Sequence, residues 1–405
     1  MKLYYICFLF IFILFSCKKE NNTTQSPKEY NYNLLSSGKI KSFPLNSDTK
    51  YNPFYLYVFE DENKRDILSF LNYNSNQILF YDFDTNKHIL KVDFEREGPN
   101  GINAISGYYI QDFNNIYLSS YSYTGLIKVD TAKHIIQKIP YGTTDSGYKI
   151  IPSYTASSHP YVPPIIINDK IYITQPAVAH IHPIKETPLS VIIDSTNCSY
   201  KQLPLDYTVL TDNQIESKDT RFSRIFDGKN FIYSFYIDED ILISSINHDS
   251  IKKIKVKSKY INNIPLDAPS KDFKKGAKEN LEVARYGDLI YDKYRDVYYR
   301  FVYPSVQLDD NVEWRGRAVY GRKKFSIIIL DKNFNIIGET LIPEGIYNSY
   351  VFFVHKDGLY ISKDYQLNYD QAEDFLTFEL FNLIKKEKST IKICSKNRLN
   401  LHPLY

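Results

Sequence analysis

The densest group of polar and aromatic side chains in this sequence lies between residues 309 and 317. It combines three acids, the only tryptophan and two bases: Asp309, Asp310, Glu313, Trp314, Arg315 and Arg317. An exposed indole flanked by guanidinium groups can stack on, and hydrogen-bond to, a sugar, a peptide or a protein. Two carboxylates held across a cleft could instead hydrolyse a glycosidic bond. The sequence predicts a ligand-binding loop here, with a solvated turn as the simpler alternative.

A second candidate is the turn that contains Arg96 and Glu97. Gly98, Pro99 and Gly101 follow directly. Proline fixes φ and glycine permits positive φ, so this trio favours a tight structural link between elements. If the link lies at the mouth of a binding site, Arg96 and Glu97 become ligand contacts.

His180 and His182 have the spacing of half a metal site, because side chains two apart on a strand share a face. No acidic residue or cysteine nearby completes the site, and Pro183 favours a loop. His159 lies upstream and could join them. We expect no metal here. Nucleophile-elbow and phosphate-binding motifs are absent from the sequence, so we also expect no cofactor.

The elements that must position these residues are repeated hairpins. About six times along the chain, an apolar strand ends in Asp or Asn, a short polar turn follows, and a second strand leaves. The copies cover residues 78–92, 126–139, 190–203, 241–254, 325–339 and, in degenerate form, 376–387. Such internal repetition indicates a repeat architecture.

Each hairpin follows two further runs rich in Ile, Val, Tyr and Phe, which predicts four-stranded antiparallel units. Six units of this kind predict an all-β, six-bladed β-propeller; a two-sheet sandwich and a seven-bladed ring are the alternatives. Closure of the ring needs a terminal strand, either residues 39–45 or residues 388–394. One short helix is expected over residues 272–284.

The predicted loops differ in length between the two faces of the ring. Turns inside the hairpins are short, whereas residues 175–188, 304–324 and 363–374 form long connections. These long loops should emerge on one face together with the links between blades. Function usually resides in such loops, so we expect the site on this face.

The first residues predict an export signal rather than part of the fold. An apolar run of thirteen residues, Leu3 to Phe15, is too short to span a membrane and suits a secretory signal. The sequence that ends in Ser16 and Cys17 resembles the bacterial lipobox, which implies cleavage before Cys17 and attachment of lipid to its sulfur. We therefore divide the chain into a signal peptide (1–16), a flexible tether (17–30) and a single propeller domain (31–405).

Composition limits the partners. Fifty basic residues face 47 acidic ones, and this near-balance argues against nucleic acid. Four cysteines are present, and only Cys198 and Cys394 would remain in the domain, so one disulfide is possible but not required. A membrane, reached through the N-terminal lipid, is the first expected partner.

The turn from Phe94 to Gly101, together with the blade pattern and the lipobox, resembles an uncharacterised Bacteroidetes lipoprotein family, a domain of unknown function related to six-bladed β-propellers. The resemblance implies an outer-membrane or cell-envelope location, facing the periplasm or the surface, and no particular reaction.

Together these features favour an envelope binding protein over an enzyme. The first hypothesis is a non-enzymatic binding module for an envelope protein, a peptide or a glycan. The second is an envelope glycan hydrolase or lyase that uses loop carboxylates. The third is a scaffold of an envelope complex.

Overall fold

The protein is all-β, with five sheets and two short α-helices among the described residues. The computed structural model describes residues 30–47, 49, 51–152, 157–267, 270–312, 314, 318–365 and 374–386. The predicted signal peptide, Cys17, almost all of the predicted tether and Cys394 lie outside these ranges. Strong β-formers dominate the strands, as expected for half-buried pleated surfaces.

Four of the sheets contain four antiparallel strands each, in chain order. Sheet 1 consists of β2 (Tyr51–Glu60), β3 (Asp66–Asn72), β4 (Gln77–Asp82) and β5 (His88–Asp93). Sheet 2 consists of β6 (Ile105–Asp112), β7 (Asn115–Ser120), β8 (Tyr123–Val129) and β9 (Ile135–Pro140). Sheet 3 consists of β10 (Ile165–Ile167), β11 (Lys170–Thr174), β12 (Ser190–Asp194) and β13 (Ser199–Gln202). Sheet 4 consists of β14 (Phe222–Phe226), β15 (Phe231–Phe235), β16 (Asp240–Ser244) and β17 (Ile251–Lys255).

Sheet 5 has eight strands in the order β18-β19-β20-β21-β1-β24-β23-β22. Its strands are β1 (Tyr32–Pro44), β18 (Arg285–Asp292), β19 (Val297–Tyr303), β20 (Ser326–Leu330), β21 (Ile336–Leu341), β22 (Asn348–His355), β23 (Gly358–Ser362) and β24 (Phe375–Lys385). The N-terminal strand β1 therefore lies between strands from the end of the chain.

Strand β1 explains why the prediction of six separate four-stranded sheets is wrong. It pairs antiparallel with β24 along most of its length and also meets β21 in parallel at one bridge, Tyr32 to Gly338. That bridge merges the last two groups of four strands into one sheet. A Cβ on Gly338 would lie 2.3 Å from the Tyr32 carbonyl oxygen, so only glycine permits this approach. The first of the two closing segments considered, residues 39–45, contributes to this strand up to Pro44, and the second, residues 388–394, lies outside the described residues.

The sheets have a propeller-like arrangement, and the core lies between them. Separate apolar clusters join sheet 1 to sheet 2, sheet 2 to sheet 3, sheet 3 to sheet 4, and sheet 4 to the β18–β21 part of sheet 5. Another packs the two halves of sheet 5 together, and a last one returns from β22–β24 and β1 to sheet 1. The apolar contacts thus run in a closed circuit.

The two ends of the strands differ, as expected. Because antiparallel strands alternate in direction, the β4–β5 type of turn emerges on one side, here called the short-turn face. The β3–β4 type of loop and the links between sheets emerge on the other, the long-connection face. Residues 83–87 and 130–134 are typical of the first; the described parts of residues 141–164 and 304–325 belong to the second. Most of the third predicted long loop, residues 366–373, lies outside the described residues.

The helices lie in the long connections. α1 (Asp212–Glu216) begins after Thr211 with a reciprocal capping box to Gln214. α2 (Phe273–Glu282) occupies the predicted segment, and Asp272 caps it by accepting from the Lys275 amide at 2.8 Å.

Candidate functional site

The loop that contains Trp314 is packed down rather than presented to solvent. Trp314 is only 5% exposed and packs with Leu281 of α2 and with Leu308. Its indole N–H donates to the Asp309 carbonyl at 2.7 Å. The expectation of an exposed tryptophan is wrong, because the indole packs against the buried Leu281 of α2.

The acids of this loop have local partners. The Asp309 carboxylate accepts from the Asn311 amide at 2.8 Å, as in an ordinary turn, and Asp310 forms an ion pair with Lys278 at 3.1 Å. Glu313, Arg315 and Arg317 lie outside the described residues. A ligand-binding role for the loop stays a prediction.

The turn after sheet 1 has the tight geometry that its sequence predicts. Gly98 has φ +94°, and the Gly101 amide donates to the Gly98 carbonyl at 3.0 Å. Arg96 is exposed and donates to the Asn74 carbonyl at 3.1 Å. Glu97 is also exposed on the long-connection face. No hydrogen bond or ion pair within the described ranges connects this turn to the loop at 309–314, and a role for both in one site stays a prediction.

The two paired histidines, His180 and His182, have different surroundings. The Nε2–H of His182 donates to the Lys149 carbonyl at 3.1 Å, and the ring lies against Tyr148 at 4.5 Å between centroids. His180 is exposed. In the part of the chain that the structure describes, no three potential metal ligands of the His, Cys, Asp and Glu types come together.

The third histidine, His159, belongs to a buried network near the centre of the ring. Its Nδ1 lies 2.6 Å from one carboxylate oxygen of Asp288. The other oxygen accepts from the Tyr161 amide at 2.9 Å and from the Tyr236 hydroxyl at 2.6 Å. The ring of Tyr350 stacks on His159 with centroids 3.7 Å apart. One carboxylate therefore ties together the segment before β10, the end of β15, β18 and β22.

Beside this network lies a cluster of arginines around Asp219. Arg221 binds both oxygens of Asp219 through Nε and Nη2, at 2.7 and 2.9 Å. Arg285 donates to the same carboxylate at 3.0 Å. Burial acts to raise the pKa of Asp219, but the two guanidiniums outweigh it and hold that pKa well below its ordinary value. Asp219 is therefore an anion at every pH near neutrality.

Arg221 differs from Arg285 in its accessibility. Arg285 is buried, whereas 46% of the Arg221 side-chain surface is open. The Arg221 guanidinium lies over the ring of Tyr236, 5.2 Å from its centroid. No hydrogen bond to a described residue uses its Nη1. This edge of the guanidinium is the one available to a ligand.

The open surface of Arg221 lines a cavity of about 360 Å³. The cavity lies between sheets 3 and 4 on the long-connection face. Its walls come from the segment before β10, the residues after β11, and the segment that leads into β14. Its lining is Pro160, Val162, Thr174, Gln175, Pro176, Ala177, Val178, Tyr207, Lys218, Asp219, Thr220, Arg221 and Phe222.

The back wall of the cavity is fixed by internal hydrogen bonds. The Gln175 side chain is fully buried and accepts from the Ile151 amide at 2.8 Å and from the Tyr148 hydroxyl at 3.1 Å. The Tyr207 hydroxyl donates to the Gln175 carbonyl at 3.1 Å. Because these groups already have partners, the wall is rigid and presents little free hydrogen-bonding capacity.

A smaller cavity of about 150 Å³ opens toward the short-turn face. It is lined mainly by aromatic and aliphatic side chains of the inner strands, among them Tyr57, Tyr161, Ile290 and Phe352. It lacks the accessible guanidinium of the first cavity.

No local sequence pattern indicates Arg221, Asp219 or Asp288 as site residues. Asp288 and His159 are 129 positions apart, and Asp219 and Arg285 are 66 apart. A usable hint was the presence of Asp288 within the otherwise largely apolar strand β18, since an unpaired carboxylate is rarely buried.

A family model described as a domain of unknown function, DUF4221, matches residues 31–341. The chain belongs to this family. The expected relation to an uncharacterised bacterial family is thereby confirmed. No curated protein matches the chain.

Solved structures support the same relation. A DUF4221 member from Bacteroides vulgatus has 23% identity and a TM-score of 0.76, covering 89% of this chain and 100% of its own. A candidate exported protein from Bacteroides fragilis has 11% identity and a TM-score of 0.50, covering 87% of this chain and 97% of its own. At these identities the likeness shows the fold alone. Among the described residues of this DUF4221 chain, no helix is long and apolar enough to cross a membrane.

Proposed function

We propose that this DUF4221 chain is a non-enzymatic binding module of the cell envelope, and that its ligand enters the cavity between sheets 3 and 4. The observation that carries the proposal is the accessible guanidinium of Arg221, held in place by a buried carboxylate at the rim of a preformed cavity. Pockets with a mostly apolar lining and a few oriented polar groups are the usual form of a small-ligand site.

The carboxylates of the cavity favour binding over hydrolysis. Both oxygens of Asp219 are occupied by guanidiniums, and its low pKa leaves it no proton to donate near neutral pH. A glycosidase needs one carboxylic acid with a raised pKa opposite a second carboxylate. Asp309 and Asp310 do not supply such a pair, because each has its own local partner.

The architecture that supports this function is a six-bladed ring in which the two halves of sheet 5 act as separate blades joined at Tyr32 and Gly338. The closed circuit of apolar clusters supports this count, since one cluster lies between the two halves. A ring of rigid blades would keep the cavity walls fixed before a ligand arrives.

The envelope location rests on the predicted signal peptide and on Cys17, which would carry lipid and anchor the chain to the outer membrane. The similarity to a candidate exported protein agrees with this location. Replacing Cys17 with serine should abolish metabolic labelling with a radiolabelled fatty acid and release the protein from membranes. Membrane attachment that survives Cys17→Ser would contradict the anchor.

The binding function is tested by ligand capture. The chain from residue 17 onward, carrying Cys17→Ser, would be incubated with envelope extract, repurified, and analysed by mass spectrometry for molecules that remain bound. Ala177→Trp fills the cavity and should abolish capture. Ala132→Trp adds the same indole on the short-turn face and should not.

Either of two results would refute the proposal. Equal capture by the Ala177→Trp protein would mean that the cavity is not the site. A captured molecule whose mass changes during incubation, in the wild-type sample alone, would mean that the protein is an enzyme.

A further inference from the structure

We infer that the cavity binds the C-terminal carboxylate of a peptide whose last side chain is apolar. This inference rests on the proposed function, because it names the ligand of the same cavity. It follows from three features: the orientation of Arg221, the local excess of positive charge, and the apolar character of the remaining walls.

The first feature is that Arg221 is oriented in advance. Two hydrogen bonds to Asp219 fix the plane of the guanidinium, and the Tyr236 ring supports its face. Nη1 has no hydrogen-bond acceptor among the described residues, and 46% of the side-chain surface is open. A carboxylate that approaches this edge would form a charge-assisted hydrogen bond without a large cost in side-chain ordering.

The second feature is the charge of the rim. Asp219 has one negative charge, and it faces the guanidiniums of both Arg221 and Arg285. Lys218 adds a further cation to the cavity lining, and no ion pair within the described ranges involves it. Cations therefore exceed anions at the rim, which favours an anionic ligand.

The third feature distinguishes a peptide from an acidic sugar. Beyond the cationic rim, most of the lining is formed by proline, aliphatic and aromatic side chains, among them Pro160, Val162, Ala177, Val178 and Phe222. Two threonines, Thr174 and Thr220, also line the cavity, but they are too few to pair all the hydroxyl groups of a sugar ring. The polar side chain of Gln175 is already saturated by Ile151 and Tyr148. A sugar ring would bury several hydroxyl groups without partners, which is costly, whereas an apolar side chain would not.

The size of the cavity agrees with one or two residues. Its volume of about 360 Å³ lies near the lower end of the range for ligand pockets. A whole protein domain would not enter, but a free chain end would. The partner is thus a peptide, or a protein whose C-terminus extends from its surface.

The test uses isothermal titration calorimetry with matched probes on the Cys17→Ser chain from residue 17 onward. The probes are acetyl-Leu-Leu-Leu with a free carboxylate, the same tripeptide as its C-terminal amide, and a diuronic acid as a carboxylate on a sugar. We expect the free acid to bind at least about tenfold more tightly than the amide, given the strength of a charge-assisted bond. The diuronic acid should bind more weakly than the peptide.

Substitutions in the cavity test the contact with the peptide carboxylate separately from effects on folding. Arg221→Gln should lower affinity for the free acid to that for the amide, and Lys218→Gln should weaken it less. Asp219 keeps Arg285 as a partner in the Arg221→Gln protein, so we expect that protein to fold. Lys271→Gln removes one exposed cation from the same face and serves as the control.

The outcomes distinguish the inference from the proposed function. Equal affinity for acid and amide, or preference for the diuronic acid, would overturn the inference while leaving a binding cavity. If no probe binds and Ala177→Trp also leaves ligand capture from envelope extract unchanged, both the inference and the proposed function fail.

Discussion

At the scale of single residues, Asn76 shows how one side chain fixes the link between sheets 1 and 2. Asn76 is 1% exposed and has φ +56°. Its amide nitrogen donates to the carbonyls of Phe94 and Asn103 at 3.0 and 2.8 Å, and its oxygen accepts from the Ile105 amide at 2.8 Å. The segment with Arg96, Glu97 and the Gly98–Pro99 turn is thereby held against the β3–β4 loop.

Replacing Asn76 with glycine should destabilise the protein by about 2–4 kcal/mol, because three backbone groups, two of them in buried hydrogen bonds, lose their partner. Glycine tolerates the positive φ, so backbone strain does not contribute. Urea unfolding followed through the buried Trp314 gives the free energy. Asn63→Gly, at an exposed position, is the control; a loss of less than about 1 kcal/mol for Asn76→Gly would contradict this account.

His248 should make stability depend on pH. Burial, aided by the charge of Arg224, lowers the pKa of His248 from 6.5 to about 4. The unfolded chain therefore takes up a proton between these values while the folded protein does not. Stability should fall as the pH falls from about 6.5 to about 4, by at most about 3 kcal/mol from this residue.

The comparison of His248→Gln with wild type measures this contribution. The variant loses the contact with the Tyr233 hydroxyl, so it should be less stable at pH 7. Its free energy of unfolding should nevertheless change less between pH 6.5 and pH 4. His134→Gln, at a site where 76% of the side chain is exposed, should keep the wild-type slope. An unchanged slope in His248→Gln would refute the assignment.

At the scale of elements, the repeated hairpins were predictable because their chemistry is local. The Asp that ends the first strand accepts from its own turn: Asp82 from Thr85, Asp194 from Thr196, and Asp331 from Asn333 and Asn335. The loop at 309–314 was wrongly expected to present its tryptophan, because burial of Trp314 depends on the docking of α2. No pattern within a short segment encodes that contact.

Buried arginines also connect neighbouring elements, and no sequence motif identifies them. Arg300 of β19 is fully buried and donates to carbonyls of sheet 4 and its loops, including Glu239 at 2.7 Å, Val256 at 3.1 Å and Asp238 at 2.6 Å. Burial lowers the pKa of Arg300 to about 10, which leaves it charged at neutral pH. Its guanidinium also lies over the Tyr286 ring at 3.8 Å.

Arg300→Met should therefore cost at least about 3 kcal/mol, because methionine fills similar space but leaves several carbonyls without donors. Arg300→Lys keeps the charge and should restore part of the loss. Arg96→Met, at an exposed site, should change stability by less than about 0.5 kcal/mol. Urea unfolding is the measurement, and equal stability of Arg300→Met and wild type would show that the carbonyls find water instead.

At the scale of the whole molecule, the ring is closed by a strand from the other end of the chain. β1 pairs with β24, more than 300 positions away, and also contacts sheet 1. Lys41 donates to the Phe83 carbonyl at 2.6 Å, and the Tyr81 hydroxyl donates to the Pro44 carbonyl at 2.8 Å. The sequence indicated that some terminal strand must close the ring. It could not select the strand, because both candidates have similar β-propensity and the choice depends on distant partners.

Large separation along the sequence between contacting residues also explains why the candidate site was not predicted. The cavity needs walls from sheets 3 and 4, and its charge depends on Asp219 and Arg285, which come together only when the sheets are assembled. The long-connection face was correctly expected to be elaborated, because loop length can be counted in a sequence. The residues that meet at its cavity could not be identified in that way.

Removal of β1 should open the ring. A chain that begins at residue 45 would leave β24 with an unpaired edge, and would remove Phe43, which is fully buried and packs on Tyr81 and Phe378 at 5.7 and 6.1 Å. We expect the single cooperative urea transition to be lost, and light scattering to detect self-association, since free edges pair with other chains.

A chain that begins at residue 30 is the matched control. Adding a peptide of residues 30–44 to the shortened chain should restore the monomer and the cooperative transition, because the missing pairing is then supplied in trans. If the shortened chain unfolds like the control without the peptide, the ring does not depend on β1 for closure.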